Sequence, residues 1–255
     1  MGFGLLMLIQ AITIFPEMFD SIIHYGVTGR ANKQGIWQFK SVNPRAFADN
    51  RLGYIDDRPF GGGPGMIMMA PPLYAAIEHA KTQSSQAAKV IYLSPQGKPL
   101  THKKAVELAK LPHMILLCGR YEGIDERLLQ SSIDEEISIG DFVVSGGELP
   151  AMMLIDAVLR LLPGVLGDIQ SAEQDSFSNG ILDYPQYTKP LEFQGMAVPE
   201  VLRSGNHGLI AEWRLEQSLR RTLERRPDLL EKRSLIPKES RLLNKILQEQ
   251  REIQS

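Results

Sequence analysis

Two acids, Glu173 and Asp175, sit in the stretch SAEQDSF, just after a long apolar helical pattern and just before a segment rich in Gly, Pro and Tyr. A carboxylate at such a junction is either a charged hinge or a base carried on a lid. Other groups capable of acid, base or electrostatic work lie in or beside glycine-rich turns: Glu122, Asp141, Glu148 and Arg160. The histidines, at 24, 79, 102, 113 and 207, show no metal-ligand spacing, and the only cysteine, Cys118, has no nearby Cys or His with which to form a site. No nucleophile triad is readable. The chemistry on offer is that of carboxylate and guanidinium.

Three turns follow apolar runs: SPQG at 94–97, CGRYEG at 118–123 and SIGDFVVSGGELP at 138–150. In an open α/β sheet, ligands bind where such turns meet at the carboxyl ends of the strands, so the three together suggest a composite pocket. None carries the Lys and Ser or Thr of a Walker loop, and none matches the dinucleotide fingerprint. The expected ligand is therefore nucleoside-like with few phosphates. Backbone groups would read an adenine edge, with Ile139, Val144 and Leu149 as apolar walls. The stretch DDRPFGGGPGM places four glycines and two prolines in the eight positions after Arg58, a mixture that suits a shaped binding surface, with a structural tight turn as the alternative.

The elements that must position these residues are readable from periodicity. Strands are expected at LLMLIQAITIF, IWQFKSV, KVIYLS, MILLCG and ISIGDFVVS, and helices from Pro16, near Pro71, and from Thr101, Asp125 and Glu148. Their alternation predicts an α/β fold with a mostly parallel sheet over residues 1–170. Polar, turn-prone sequence over 171–199 reads as a linker or lid, and 200–255 as a small helical domain. The apolar start MGFGLLMLIQAITIF reads as a first strand and not a leader, and no stretch reaches the roughly 18 apolar residues of a membrane helix.

With 43% hydrophobic and 23% charged residues among 255, the composition is that of a globular protein and excludes a disordered or fibrous one. A lone Cys118 in an apolar run is expected to be a small buried hydrophobe in a reducing, cytoplasmic setting. Charge is uneven: residues 1–175 carry 15 Lys and Arg against 19 acids, and residues 176–255 carry 13 against 11. Eight of the latter bases lie between Arg203 and Arg233. Arg214, Ser218, Arg221 and Arg225 recur along one helical stripe that could meet phosphates, whereas Leu215, Leu219, Thr222 and Leu223 fill another.

The motifs DDRPFGGGPGM, YLSPQG, CGRYEGIDER, IGDFVVSGGELPAM, SAEQDSF, and SGNH followed by EWR closely resemble the bacterial TrmD family, tRNA (guanine-N1)-methyltransferases of the SPOUT class. The likeness spans nearly the whole chain. It implies a deep trefoil knot in the α/β domain, an all-helical C-terminal domain, a homodimer, and S-adenosylmethionine as methyl donor. The donor-binding positions it implies are Tyr92, Leu93, Ser94, Pro95, Gly119, Tyr121, Glu122, Gly123, Ile139, Gly140, Asp141, Phe142, Val143, Val144, Gly146 and Gly147.

By the same resemblance Asp175 is the general base, Arg160 supports catalysis, and Arg58, Gly61, Gly62, Asp183, Arg214 and Arg221 meet the tRNA. The implied target is the guanosine at tRNA position 37, 3′ of the anticodon, when another guanosine precedes it. A magnesium requirement is implied without a readable ligand set; Glu173 or Asp183 could serve a metal, the donor's amino group or solvent. Departures from the commoner pattern are Phe60 and Phe142 for Tyr, Ile137 for Trp, Ser145 for Thr and Gln174 for Glu, the last removing an acid beside Asp175. The alternatives are a SPOUT enzyme acting on another RNA nucleotide and a non-catalytic RNA-binding protein.

Overall fold

In the computed structural model, which describes residues 6–167 and 174–254, all six residues of β1 (Met7–Ile12) are buried. Burial on both faces marks an inner strand of a parallel sheet. β1 lies between β2 (Trp37–Val42) and β6 (His113–Leu117), and the five-stranded sheet continues through β5 (Lys89–Pro99) to β7 (Glu135–Ser138), giving the order β2-β1-β6-β5-β7. Every neighbouring pair is parallel. Two short antiparallel strands, β3 (Asp56–Asp57) and β4 (Ile67–Met68), bracket the glycine-rich loop.

Parallel pairing requires crossovers, and helices supply them. α1 (Asp20–His24) and α2 (Gly26–Lys33) lead from β1 to β2, α3 (Ala70–Thr82) precedes β5, α4 (His102–Leu108) joins β5 to β6, α5 (Glu126–Ser132) joins β6 to β7, and α6 (Glu148–Leu159) follows β7. The Thr101 hydroxyl accepts the Lys104 N–H at 3.2 Å and the Asp125 carboxylate accepts the Arg127 N–H at 3.0 Å, so both expected caps are made. Pro16 opens a 3₁₀ turn, Pro16–Phe19, before α1. α2 carries no strong apolar signal and was not legible in the periodicity.

Alternate residues of each strand serve two separate apolar layers. Ile91, Leu93, Met114 and Leu116 meet Ala105 and Leu108 of α4 and Leu154, Ile155 and Val158 of α6. Val90, Tyr92, Ile115 and Leu117 meet Leu73, Ala76 and Ile77 of α3 and Leu128 of α5. Each fully buried aliphatic side chain contributes about 1.5–3 kcal/mol, which is why the strands read as unbroken apolar runs. Cys118 belongs to the first layer; burial, then the charge of Glu148, pushes its thiol up, so it is a neutral hydrophobe.

Two expected elements differ. The strand expected over ISIGDFVVS stops at Ser138, because Gly140 takes φ 146° and ends the extended run. The strand begun by KVIYLS instead runs to Pro99 through a shift of register, with Leu93 and Lys98 both opposite Ile137. SPQG is thus the outward excursion within a strand. Gly97 passes so close to β7 that a Cβ there would lie 2.4 Å from the Ile137 nitrogen.

Contacts divide the chain into two units, Met1–Ile169 and Gln170–Ser255. The second contains a hairpin of β8 (Glu192–Phe193) and β9 (Met196–Ala197) and the helices α7 (His207–Arg225), α8 (Pro227–Glu231) and α9 (Pro237–Gln254). The hairpin lies within the stretch expected as linker, so this unit is not purely helical. Its core is Ile181, Leu219, Leu242 and Ile246, and Leu182 N–H donates to Thr222 Oγ1 at 2.9 Å. Ion pairs join the two long helices, Arg220 to Glu249 at 2.6 Å and Arg241 to Glu212 at 3.0 Å among them. Among the described residues no helix is long and apolar enough to cross a membrane.

One polar pair is buried inside the sheet: His113 Nε2 lies 2.6 Å from Gln10 Oε1, and both residues are fully buried. Burial, aided by Lys40, lowers the His113 pKa below its ordinary 6.5 against the opposing contact with the Gln86 carbonyl. The unfolded chain therefore binds more protons just below pH 6.5, and stability falls as pH drops through that window. Urea unfolding at pH 7.5 and 5.5 should show this loss in the wild type and a smaller one in His113→Gln; an equal loss in both would remove His113 as its source.

Candidate active site

The excursion within β5 and the turns after β6 and β7 meet at one end of the sheet and enclose a cavity of about 330 Å³. That volume lies at the small end of the range for pockets that take drug-sized ligands. Tyr92, Leu93, Ser94 and Pro95 supply one side, Gly119, Tyr121, Glu122 and Gly123 a second, and Ile139, Gly140, Phe142, Val143, Val144, Gly146 and Gly147 a third. Two positions expected there are absent from the lining: Asp141 is exposed, and Leu149 points to solvent at 48% exposure. In place of Leu149, Pro150 closes the wall.

Backbone proximity makes this pocket. Gly147 N–H donates to the Gly119 carbonyl at 2.9 Å, and a Cβ on Gly147 would lie 2.7 Å from Cys118 Cα. Gly119 in turn lies under the Tyr92 ring, where a Cβ would meet ring carbon at 2.9 Å. Burial first, then the charge of Glu136, raises the Tyr92 pKa, so its hydroxyl stays protonated. Tyr121 adopts φ 58°, unusual for a side-chain-bearing residue, and turns the chain at the pocket rim. Desolvation, then hydrogen bonding to Asp56, raises its pKa as well.

The glycine-rich loop backs onto the same rim. Glu122 N–H donates to the Met66 carbonyl at 3.0 Å and Met68 N–H to the Gly123 carbonyl at 2.9 Å. Gly65 is packed so tightly that a Cβ would fall 2.3 Å from Glu122 Cγ. Arg58, Gly61 and Gly62 are exposed, and Phe60 projects fully into solvent.

Glu148 lies beside the pocket turns, as expected, but outside the cavity lining. It is completely buried, accepts the Thr13 hydroxyl at 2.7 Å, and faces Arg120 at 2.8 Å. It is a brace beneath the pocket and not an acid within it. Its partner Thr13 lies 135 residues away in the chain, a pairing that no local pattern reveals. Arg120, Gln96, Glu126, Glu136 and Ser138 also line the cavity without having been singled out. Arg120 was legible to the extent that it lies inside CGRYEG.

Arg160 is half-buried at the C-terminus of α6, its N–H on the Asp156 carbonyl at 3.2 Å. Asp175, Asp183, Arg214 and Arg221 belong to the second unit, and Glu173 lies outside the described residues. Asp175 opens a turn in which its carbonyl accepts the Ser178 hydroxyl at 2.7 Å. Asp183 uses its carboxylate on Tyr184 N–H at 2.7 Å and Gln186 at 3.3 Å. No group of three or more His, Cys, Asp or Glu that could hold a metal ion is assembled among the described residues.

Of the arginine stripe, Arg214 lies 4.7 Å from the Tyr184 ring with its Nε buried and without a hydrogen-bond partner, Arg221 is half-buried and Arg225 is exposed. Ser218 departs from it: at 6% exposure it is buried, its carbonyl accepting the Thr222 hydroxyl at 2.7 Å. A small side chain suits that inward position.

The family model described as tRNA (Guanine-1)-methyltransferase TrmD matches residues 7–232. The chain belongs to this family. It is 92% identical over 249 residues to a protein of Neisseria meningitidis serogroup C named tRNA (guanine-N(1)-)-methyltransferase, covering 98% of this chain and 100% of the relative. Proteins of the same name from Neisseria gonorrhoeae and Chromobacterium violaceum are 91% and 60% identical, over 98% and 96% of this chain and 100% and 97% of theirs. The TrmD match runs through both units, so it covers the pocket turns as well as the Asp175 segment and α7.

Gly147 has ordinary backbone angles, φ −75° and ψ −8°, so a substitution there tests contact alone. Gly147→Ala should cost about 1–3 kcal/mol in urea unfolding, the usual penalty for overpacking, because backbone must give way. An unchanged midpoint would show that the two turns are not locked at this point.

Proposed function

We propose that the protein transfers a methyl group from S-adenosylmethionine to N1 of guanosine 37 of tRNA, immediately 3′ of the anticodon. Full-length membership in the TrmD family carries this reading, and the pocket built by three converging turns supports it. The ligand suits the site: an adenine edge can be read by backbone groups, and no phosphate needs a cradle. S-adenosylmethionine lacks phosphate, and every motif residue implied as a donor contact except Asp141 lines the cavity.

Guanine N1 carries a proton and is a poor nucleophile. As the new C–N bond forms and the bond from sulfur to the methyl carbon breaks, Asp175 takes the N1 proton, and the donor leaves as a neutral thioether. Negative charge that develops toward O6 is met by the Arg160 guanidinium, whose hydrogen bonds strengthen in the transition state. The base must be unstacked from the anticodon loop to expose its Watson–Crick edge. Arg214, Arg221 and Asp183 of the second unit, with Arg58, Gly61 and Gly62 of the loop, hold the RNA.

The first unit is proposed to thread the trefoil knot of the SPOUT class, in keeping with a strand that leaves its ladder at Leu93 and rejoins it at Lys98. A homodimer is proposed because Leu149 and Met153, one turn apart on α6, are apolar and about half exposed, as a face covered by a second copy would be. A cytoplasmic location follows from a tRNA substrate.

Incubation with labelled S-adenosylmethionine and paired tRNA transcripts that differ only in guanosine or adenosine at position 37 should label the first alone; equal labelling would refute the assignment. Asp175→Asn should retain tRNA binding and lose about 10²–10⁴-fold in single-turnover rate, the range for a general base; a near-normal rate would exclude Asp175 from that role. Met153→Glu should shift the protein toward monomer in sedimentation, and an unchanged dimer would place the interface elsewhere.

A further inference from the structure

The pocket carries an electrostatic feature that the reaction above does not use. Arg120 is the only Lys, Arg or His among the described residues that line it, whereas Glu122, Glu126 and Glu136 line it as well. The Arg120 side chain is 16% exposed, donates to the Ser145 carbonyl at 3.2 Å, and lies 4.6 Å from the Phe15 ring centre. Gly146 passes directly against it, so that a Cβ there would fall 2.2 Å from Arg120 Nε. Arg120 therefore holds the wall formed by the turn after β7, at the cost of placing a cation beside the ligand.

Glu148 faces that cation at 2.8 Å from a position with no exposure at all. Thr13 orients it by a 2.7 Å hydrogen bond and accepts the Phe15 N–H at 3.0 Å. Arg120 Nε and Glu148 Oε2 are both buried without a hydrogen bond, so what joins the two side chains is charge more than aligned donors. A pair of this kind seldom adds net stability over an apolar replacement, which points to another use for it.

We propose that Glu148 is a specificity-determining residue: by cancelling the charge of Arg120 under the pocket wall, it lets the site accept a cationic sulfonium in preference to the neutral thioether that the reaction leaves behind. The inference rests on the reading of this pocket as the S-adenosylmethionine site. Glu148 touches neither substrate nor reacting atoms, and acts through Arg120.

The test compares the affinities of the full-length protein for S-adenosylmethionine and S-adenosylhomocysteine by calorimetry. Glu148→Gln keeps shape and the Thr13 contact but leaves Arg120 uncompensated. It should weaken the sulfonium ligand about tenfold, the order expected for unit charges roughly 10 Å apart at an effective dielectric of about 20, and the thioether less than about twofold. Arg120→Met should move the ratio of affinities the opposite way, and the double variant should return it to the wild-type value. A merely structural role would weaken both ligands together.

Equal weakening of the two ligands in Glu148→Gln, or a ratio in Arg120→Met that moves the same way, would overturn the proposal. Should Glu148→Gln fail to fold, the opposite-signed shift in Arg120→Met still decides. Failure of the wild type to bind either ligand would instead refute the donor reading itself, which keeps the two failures apart.

Discussion

The contact between the Cys118–Gly119 backbone and Gly147 constrains the rest of the first unit. One hydrogen bond of 2.9 Å joins the turn after β6 to the start of α6, and no side chain fits between them. From that seam α6 runs inward, burying Ala151, Leu154, Ile155 and Val158 on the sheet. The turn after β7 is consequently fixed at both ends, at Ser138 by the strand and at Gly147 by the seam. What lies between must arch over the space above β5 and β6, and that arch is the pocket wall.

This construction explains why the site lacks a phosphate cradle. The N-terminus of a helix is ordinarily an anion site, its free N–H groups and dipole favouring negative charge. In α6 that position is taken by the chain itself, because Glu148 stands in the first turn and is completely buried. The carboxylate meets the positive end of the helix and Arg120 together. Positive potential that could have drawn a phosphate is spent inside the fold, and a lining with three glutamates is left to face the ligand.

Which parts were legible follows from how far apart the cooperating residues are. Parallel strands buried on both faces leave continuous apolar runs, so KVIYLS and MILLCG announced themselves, and Thr101 and Asp125 marked helix starts within three residues of the N–H groups they cap. ISIGDFVVS misleads because Phe142, Val143 and Val144 have strand composition but form a cavity wall, in which Phe142 and Val143 are exposed, Val143 at 83%. Ser218 misleads in a similar way: the spacing puts it with arginines, and only the packing around it shows that it faces inward. Glu148 was beyond reach, since its meaning depends on Thr13 and on a seam that only the assembled sheet creates. Asp175 stood out by its setting, and the role proposed for it comes from motif resemblance, because one carboxylate in a turn has no chemistry that spacing alone can assign.

The proposed division of labour between the units has a further physical sense. Methyl transfer needs carbon, nitrogen and base aligned within a fraction of an ångström, and alignment is where most of the entropic cost of the reaction lies. The proposed donor side is built largely of close backbone contacts, and backbone has few degrees of freedom. The proposed base is placed by short-range ties of its own: Phe177 N–H on the Ile181 carbonyl at 2.8 Å, Asp183 N–H on Ser176 Oγ at 3.0 Å, and Ile181 itself in the core with Leu219 and Ile246. The Asp175 segment is therefore tied into the folded core of its own unit.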